Sequence, residues 1–304
     1  MAKIKSTKIH ESKGDVILNW ITGLILVVIV IVIGYPLLYV ISCSFSSSKA
    51  LEAGMVLLWP VDFSLEAYEF VLNFKQVWIG YRNSIFYTVT GGLITMCGTI
   101  LVAYPLSRTY MQGRTGYTMF FYLTTRISAG MIPLFIVKCG LGMYNTIWAI
   151  LLEGVVSVHH ILILRTAFQS SIPGELFDAA MIDGASQFQS LVKIALPLAK
   201  ATLSVLVLYT VVACWNEYFT SMLYLTDSNL YPLQLVLRPI MTAASAMSQI
   251  STSGMGAGYQ QMASSGLENV RYALIIISTV PALLVYFVVQ KYFKGGVMMG
   301  SVKG

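Results

Sequence analysis

The stretch PGELFDAAMIDGASQFQSLVKIALP, residues 173–197, lies between two long apolar runs and mixes polar with apolar positions. Asp178, Ala179 and Ala180 are followed, after three intervening residues, by Gly184, and nine more residues lead to Ile194, Leu196 and Pro197. Proline is tolerated in the first turn of a helix, so Pro173 opens one, with Glu175 near its positive end. Leu176, Ala179, Ala180 and Asp183 then recur at helical spacing. Gly184 is placed to end that helix in a left-handed cap. Ser186 starts a second short helix running to about Ile194, and Pro197 stops it. The alanine pair offers a surface with almost no side chain, which lets another protein approach the backbone closely. The segment reads as a compact helix–turn–helix held stiffly between two apolar runs, as force transmission requires.

The rest of the chain says what those runs are. Of 304 residues, 57% are hydrophobic and only 11% charged, with a strongly positive mean hydropathy. A soluble domain of this length needs far more charge to cover its surface. A membrane span asks for about 20 apolar residues, and six such runs are present: 16–44, 83–106, 117–138, 147–167, 203–225 and 272–289. The expected fold is an all-α membrane protein with six transmembrane helices over residues 16–292, between an N-terminal tail 1–15 and a C-terminal tail 293–304. The first run is too long for a signal-peptide core and no small-residue cleavage site closes it cleanly, so it reads as a retained span. Pro36 should bend it in its outer half. Cys43, Cys97, Cys139 and Cys214 lack metal-ligand spacing and read as free, buried apolar fillers.

The net charge of +6 records topology, not a nucleic-acid partner. Lys3, Lys5, Lys8, Lys13, Arg108, Arg114, Arg165, Lys193, Lys200, Lys291, Lys294 and Lys303 share one side of a six-span protein. Lys49, Lys75, Arg82, Lys138, Arg238 and Arg271 fall on the other. The positive-inside rule therefore places both termini and the loop 170–199 in the cytoplasm. Outside, the segment 45–82 carries Trp59, Tyr68, Phe70, Trp78 and Tyr81, suited to a short helix along the membrane surface. The long outer loop 226–271 has an uncharged Ser-, Ala-, Gly- and Met-rich centre, a composition of flexible surface loops or of a segment that reaches a partner.

Several further motifs extend the pattern: Pro105-Leu106-Ser107-Arg108, Ile172-Pro173, Ile182-Asp183-Gly184-Ala185-Ser186, Leu196-Pro197-Leu198, Trp215-Asn216, Tyr231-Pro232-Leu233-Gln234-Leu235, Gln290-Lys291-Tyr292-Phe293 and the ending from Gly296 to Gly304. Together with the 173–197 spacing they cover nearly the whole chain, which resembles the second permease subunit of carbohydrate ABC importers of the maltose type, in the branch associated with complex oligosaccharides and polysaccharide fragments. The resemblance implies a type I importer fold in a bacterial cytoplasmic membrane. It implies a second, different permease, an ATPase dimer and an extracytoplasmic solute-binding protein as partners, with an oligosaccharide as substrate. It makes Glu175, Asp178, Ala179, Ala180, Asp183, Gly184, Ile194, Leu196 and Pro197 the ATPase-docking residues. It matches 226–271 to the loop that enters the binding protein, and the tail after Lys291 to one near the ATPases. Asp178 stands where relatives usually have Glu, which keeps the charge. Arg126, Glu153 and His159-His160 stand where relatives mostly have uncharged residues.

Ionisable groups at membrane depth are costly and usually face a cavity or a partner. Arg126, Glu153, His159 and Glu217 are the candidates, and Trp215, Asn216, Glu217 and Tyr218 form a cluster suited to sugars, with an indole face and hydrogen-bonding groups. The competing reading pairs Arg126 and Glu153 with each other or another subunit and makes Trp215 a packing residue. Adjacent histidines point to different helix faces and have no third ligand nearby, so they read as neutral groups bonded between helices rather than a metal site. No nucleophile constellation and no Gly-Lys-Ser/Thr phosphate loop appears. The chain is therefore expected to be no enzyme and to bind no cofactor, with ATP and Mg acting through partner ATPases. Two other readings remain beside the sugar importer: the same architecture carrying a non-sugar solute, and an ion-coupled secondary transporter using Glu153, Glu217 or His159. The absence of an internal repeat weakens the latter.

Overall fold

The computed structural model describes residues 12–127, 129–246 and 269–290. The calls on 1–11, on the centre of the outer loop and on the tail after Gln290 fall outside the described residues. The chain divides into two units by its internal contacts.

The first unit comprises residues up to Phe70 together with a return segment ending at Ile276. Ser12 and Asp15 cap each other's backbone N–H groups at 3.2 and 3.1 Å, which starts helix α1 (Lys13–Ser44). Pro36 falls inside α1 without ending it. The apolar side chains from Val16 to Leu38 are largely exposed along this helix, a surface that asks for lipid cover. Two short helices follow, α2 (Ser48–Glu52) and α3 (Glu66–Leu72), within the segment expected to hold one. A run of serines then ties the unit together. Ser42 Oγ donates to Leu58 O at 2.6 Å, Ser46 Oγ to Ser42 O at 2.7 Å, and Tyr68 OH to Ser44 Oγ at 2.9 Å. Fully buried Asn269 donates to Ser46 O at 2.9 Å and accepts from Ser48 Oγ at 3.0 Å, so each polar group taken from water finds a partner.

The second unit is organised on α4 (Lys75–Ser107). After it come α5 (Arg114–Thr124), α6 (Met131–Gly140), α7 (Trp148–Leu151) and α8 (Val158–Ser170). The quoted stretch forms α9 (Gly174–Ile182) and α10 (Gln187–Ser190), a π-helical turn Leu191–Ala195, and α11 (Leu196–Leu198). Beyond it lie α12 (Lys200–Trp215), α13 (Phe219–Tyr224), α14 (Leu233–Ala246) and α15 (Val270–Val289). α4 packs against α8, α12 and α14. Its C-terminal half shares a core with Ile161, Leu164 and Phe168 of α8, Leu206 of α12, and Phe177, Leu191 and Ala195 of the quoted stretch.

Among the described residues three helices are long and apolar enough to cross a membrane, α1, α4 and α15. A fourth arises if the pair Gln187–Leu198 and Lys200–Trp215, bent by 84°, counts as one span. The runs 117–138, 147–167 and 203–225 do not form single helices, the last breaking at 216–218 between α12 and α13. The first divides into α5 and α6 around Gly130, whose φ of +81° suits glycine. The second divides between α7 and α8, where Val155 lies against α4. A Cβ added at Gly98 would sit 2.4 Å from the Val155 carbonyl oxygen. Helices of 11, 10 and 13 residues (α5, α6, α8) are shorter than the roughly 20-residue length that spans a bilayer. That close approach gives a direct test. Gly98→Ala should cost about 1–3 kcal/mol by overpacking and lower the midpoint of thermal unfolding in detergent, whereas Gly116→Ala, where a Cβ meets nothing within 4 Å, should not.

Candidate functional site

The quoted segment has the turn chemistry its sequence suggests. Pro173 is the residue before α9, with Glu175 in the first turn. Gly184 adopts φ +77°. Its N–H donates to Met181 O at 3.0 Å, and Ala185 N–H donates to Ala180 O at 2.9 Å, so the last carbonyls of α9 are satisfied by a Schellman arrangement. Ser186 and Gln189 then form a reciprocal cap on α10, at 3.2 and 2.9 Å.

Pro197 does not stop the second helix. The chain runs on through the π-turn to Leu198 and breaks at Ala199. A proline inside a helix removes one N–H and crowds the carbonyl four residues earlier. Here the turn before it is widened, with Leu196 N–H donating to Leu191 O, five residues back. The widened turn accommodates the ring, and the bend falls two residues later.

Glu175, Asp178, Ala179, Asp183, Gly184 and Pro197 are exposed, while Ala180, Ile194 and Leu196 are half-buried. Ile194 and Leu196 pack on the core behind. The outward surface also includes Ile182, 86% exposed, and Phe188, 69% exposed. The residue that anchors α9 is one that helical spacing did not single out, Phe177. It is buried, and the Arg108 guanidinium lies 3.7 Å from its ring centroid. Arg108 also lies over the Tyr104 ring at 5.2 Å, and donates to Ser107 Oγ at 2.9 Å and Phe168 O at 3.3 Å. Burial lowers its pKa from the usual arginine value. Arg165 and Gln169 of α8 donate to Leu106 O and Ser107 O at the end of α4. Gln187 accepts from Tyr104 OH at 3.4 Å and from Tyr110 OH. α9 and α10 are thus fixed to the ends of α4 and α8. The signal for Arg108 was its place just after the helix end, within Pro105-Leu106-Ser107-Arg108.

The intramembrane polar candidates do not converge on one place. Trp215 is buried, donates its indole N–H to Ser278 O at 2.9 Å, and packs near the Tyr81 ring, so it is a packing residue. Glu217 is turned onto its own backbone, accepting from Thr220 N–H at 2.6 Å, Ser221 N–H at 3.3 Å and Ser221 Oγ at 2.7 Å, where it caps α13. Glu153 pairs with Lys138, not with Arg126. Exposed Arg126 instead donates to Tyr122 OH at 2.9 Å. His160, not exposed His159, reaches across to Thr210 Oγ1 of α12 at 3.4 Å. Asn216 and Tyr218 do stand together with two residues of α14 that sequence reasoning missed. Gln234 Nε2 lies 3.5 Å from Asn216 Oδ1, and the Arg238 guanidinium lies 4.3 Å from the Tyr218 ring centroid. Among the described residues no three His, Cys, Asp or Glu side chains group to hold a metal ion.

No family model matches the chain. Individual relatives do. It is 35% identical to the polygalacturonan/rhamnogalacturonan transport system permease protein of Bacillus subtilis, over 88% of this chain and 92% of that one. It is 28% identical to the diacetylchitobiose uptake system permease protein of Streptomyces coelicolor, over 91% and 85% respectively. A chain of a bacterial ABC transporter involved in the import of the acidic polysaccharide alginate superposes with a TM-score of 0.82 at 33% identity, covering 94% of this chain and all of that one. With likeness of this extent in both sequence and fold, the chain belongs to the carbohydrate ABC transporter permease family.

Proposed function

We propose that this chain forms half of the translocation path of a binding-protein-dependent importer for an oligosaccharide, and that residues 173–197 couple it to an ATPase. The observation that carries the reading is the fixed, outward-facing α9–α10 unit, whose polar and small residues Glu175, Asp178, Ala179, Asp183 and Gly184 lie on the exposed side. Its inner side is clamped to α4 and α8 through Phe177 and Arg108. Such a unit can take up movement at its outer face and pass it to the helices behind. The sugar reading draws on the relatives, whose printed substrates are saccharides.

In this reading the chain crosses a bacterial cytoplasmic membrane six times with both termini inside, the divided runs included. A second, different permease completes the path, a pair of ATPases supplies ATP hydrolysis with Mg, and an extracytoplasmic binding protein delivers the sugar. The chain itself carries out no bond chemistry. The outer loop 226–271 is assigned to the binding protein, and the tail 293–304 to the ATPases.

Purification of the tagged chain from native membranes in mild detergent tests the assembly. It should bring a second permease and an ATPase whose hydrolysis rises with a sugar-loaded binding protein; recovery alone, with transport that survives ATP depletion, would refute it. Two variants test the coupling. Gly184→Val forces a β-branched residue to positive φ, a strain of about 1–3 kcal/mol. A shift of about 1.4 kcal/mol in docking is tenfold, so uptake should fall by about that factor or more while membrane insertion is retained. Arg108→Ala removes a desolvated cation–π contact of about 2 kcal/mol. It should lower the sugar moved per ATP hydrolysed, with partial recovery in Arg108→Lys. An unchanged ratio would mean that Arg108 only packs.

A further inference from the structure

The outer loop leaves α13 through residues 226–233, and the backbone of this stretch is held by side chains of other elements. At its start Asn145, between α6 and α7, accepts from Thr226 N–H and Asp227 N–H, each at 2.9 Å, and donates its own N–H to Tyr224 O at 2.8 Å. The carbonyls that follow go to α4. Gln76 Nε2 donates to Ser228 O, Asn83 Nδ2 to Asn229 O at 2.7 Å and to Tyr231 O at 3.0 Å, and Tyr87 OH to Leu230 O at 2.9 Å. Ser84 Oγ accepts from Leu233 N–H at 2.8 Å, where α14 begins. Asn83, Ser84 and Tyr87 are buried. Beside them Gly80 admits the backbone of Leu233 so closely that an added Cβ would sit 3.0 Å from its Cα. Thr226, Ser228 and Asn229 remain exposed.

We infer that Asn83, Tyr87 and Asn145 are positioning residues, which hold residues 226–233 as a preformed ledge at the root of the outer loop where the extracytoplasmic binding protein engages. The inference rests on the assignment of that loop to the binding protein, and adds which residues keep its root in shape. Connecting segments are ordinarily mobile, with backbone groups bonded to water. Here buried donors on α4 and the Asn145 carboxamide take those groups, so the course of the chain is set whatever side chains it carries. Opening the ledge would leave Asn83 and Tyr87 buried without partners, which disfavours the open form. A surface that must be ordered on contact loses affinity to that ordering, and one already ordered does not. The staples therefore act on how tightly the binding protein docks, not on the rate once it has docked. The exposed Thr226, Ser228 and Asn229 are polar and uncharged, the rim chemistry of a contact with a polar partner surface.

The test uses the whole importer, with its partner permease and ATPases, in proteoliposomes, and follows ATP hydrolysis as sugar-loaded binding protein is added. Tyr87→Phe removes the hydroxyl and keeps the ring. Asn145→Gly removes the acceptor and suits the φ of +56° found there. The two together should raise the binding-protein concentration for half-maximal stimulation about tenfold, the scale of one buried hydrogen bond left unmade, with the rate at saturation retained. Asn83→Leu, which strips the donor from the Asn229 and Tyr231 carbonyls, should raise it further. Thr90→Val, whose hydroxyl bonds only within α4 to Phe86 O, should leave it unchanged. An unaltered half-maximal concentration in the Tyr87→Phe, Asn145→Gly protein overturns the inference, as does a fall in the saturating rate alone, which is the mark of general packing. A photo-reactive residue at Ser228 separates this from the reading beneath it. Linkage to the binding protein with unaltered half-maximal concentrations refutes the positioning role and leaves the importer reading standing. If the unmodified importer shows neither linkage nor stimulation, the importer reading fails and the inference with it.

Discussion

A buried guanidinium under an exposed helix is the contact on which the α9–α10 end of the second unit depends. Arg108 stands where α4 ends, lies against the Phe177 ring and donates to the Phe168 carbonyl. One side chain thus joins three elements: the helix that organises the unit, the helix that packs along it, and the short helix that faces outward. Removing a cation from water is expensive unless it is paired, and here two aromatic faces, a hydroxyl and a carbonyl take the place of water. That arrangement fixes the direction of α9 better than apolar packing alone, because rings and donors must be in place together.

The segment continues directly into the helix beyond it, with Ala199 alone between Leu198 and Lys200. The π-turn at Leu191–Ala195 takes up the strain of Pro197, and the 84° bend at Ala199 sets α12 at a steep angle to what precedes it. α10 is thus joined to α12 through the π-turn and the bend at Ala199. The far end of α12 carries the break at Asn216–Tyr218.

Much of this was legible where local chemistry admits few solutions. Gly184 was readable because a helix that must end in a left-handed turn asks for glycine, and Ser186 because its cap residue has a partner three positions on. Pro197 was misread because the widened turn that accommodates a proline leaves no mark in hydropathy or spacing. The divided runs 117–138 and 147–167 were hidden for a different reason. Their apolar length is sufficient, but at one break Val155 lies against Gly98, a contact between distant parts of the chain. Trp215 and Glu217 have the composition of a sugar site. Their partners, Ser278 for one and the backbone of Thr220 and Ser221 for the other, could not be assigned without coordinates. Arg238 appeared in the sequence only as one outer-side charge, because nothing local ties it to Tyr218, twenty residues earlier.

The central claim, that the exposed face of α9 and α10 is where an ATPase engages this chain, is tested most directly by a photo-reactive residue at Ile182, the most exposed large apolar side chain of that face. Irradiation of native membranes should link the chain to an ATPase subunit, in a yield that changes when ATP is added. Linkage to lipid or to this chain alone, unaltered by ATP, would contradict the account.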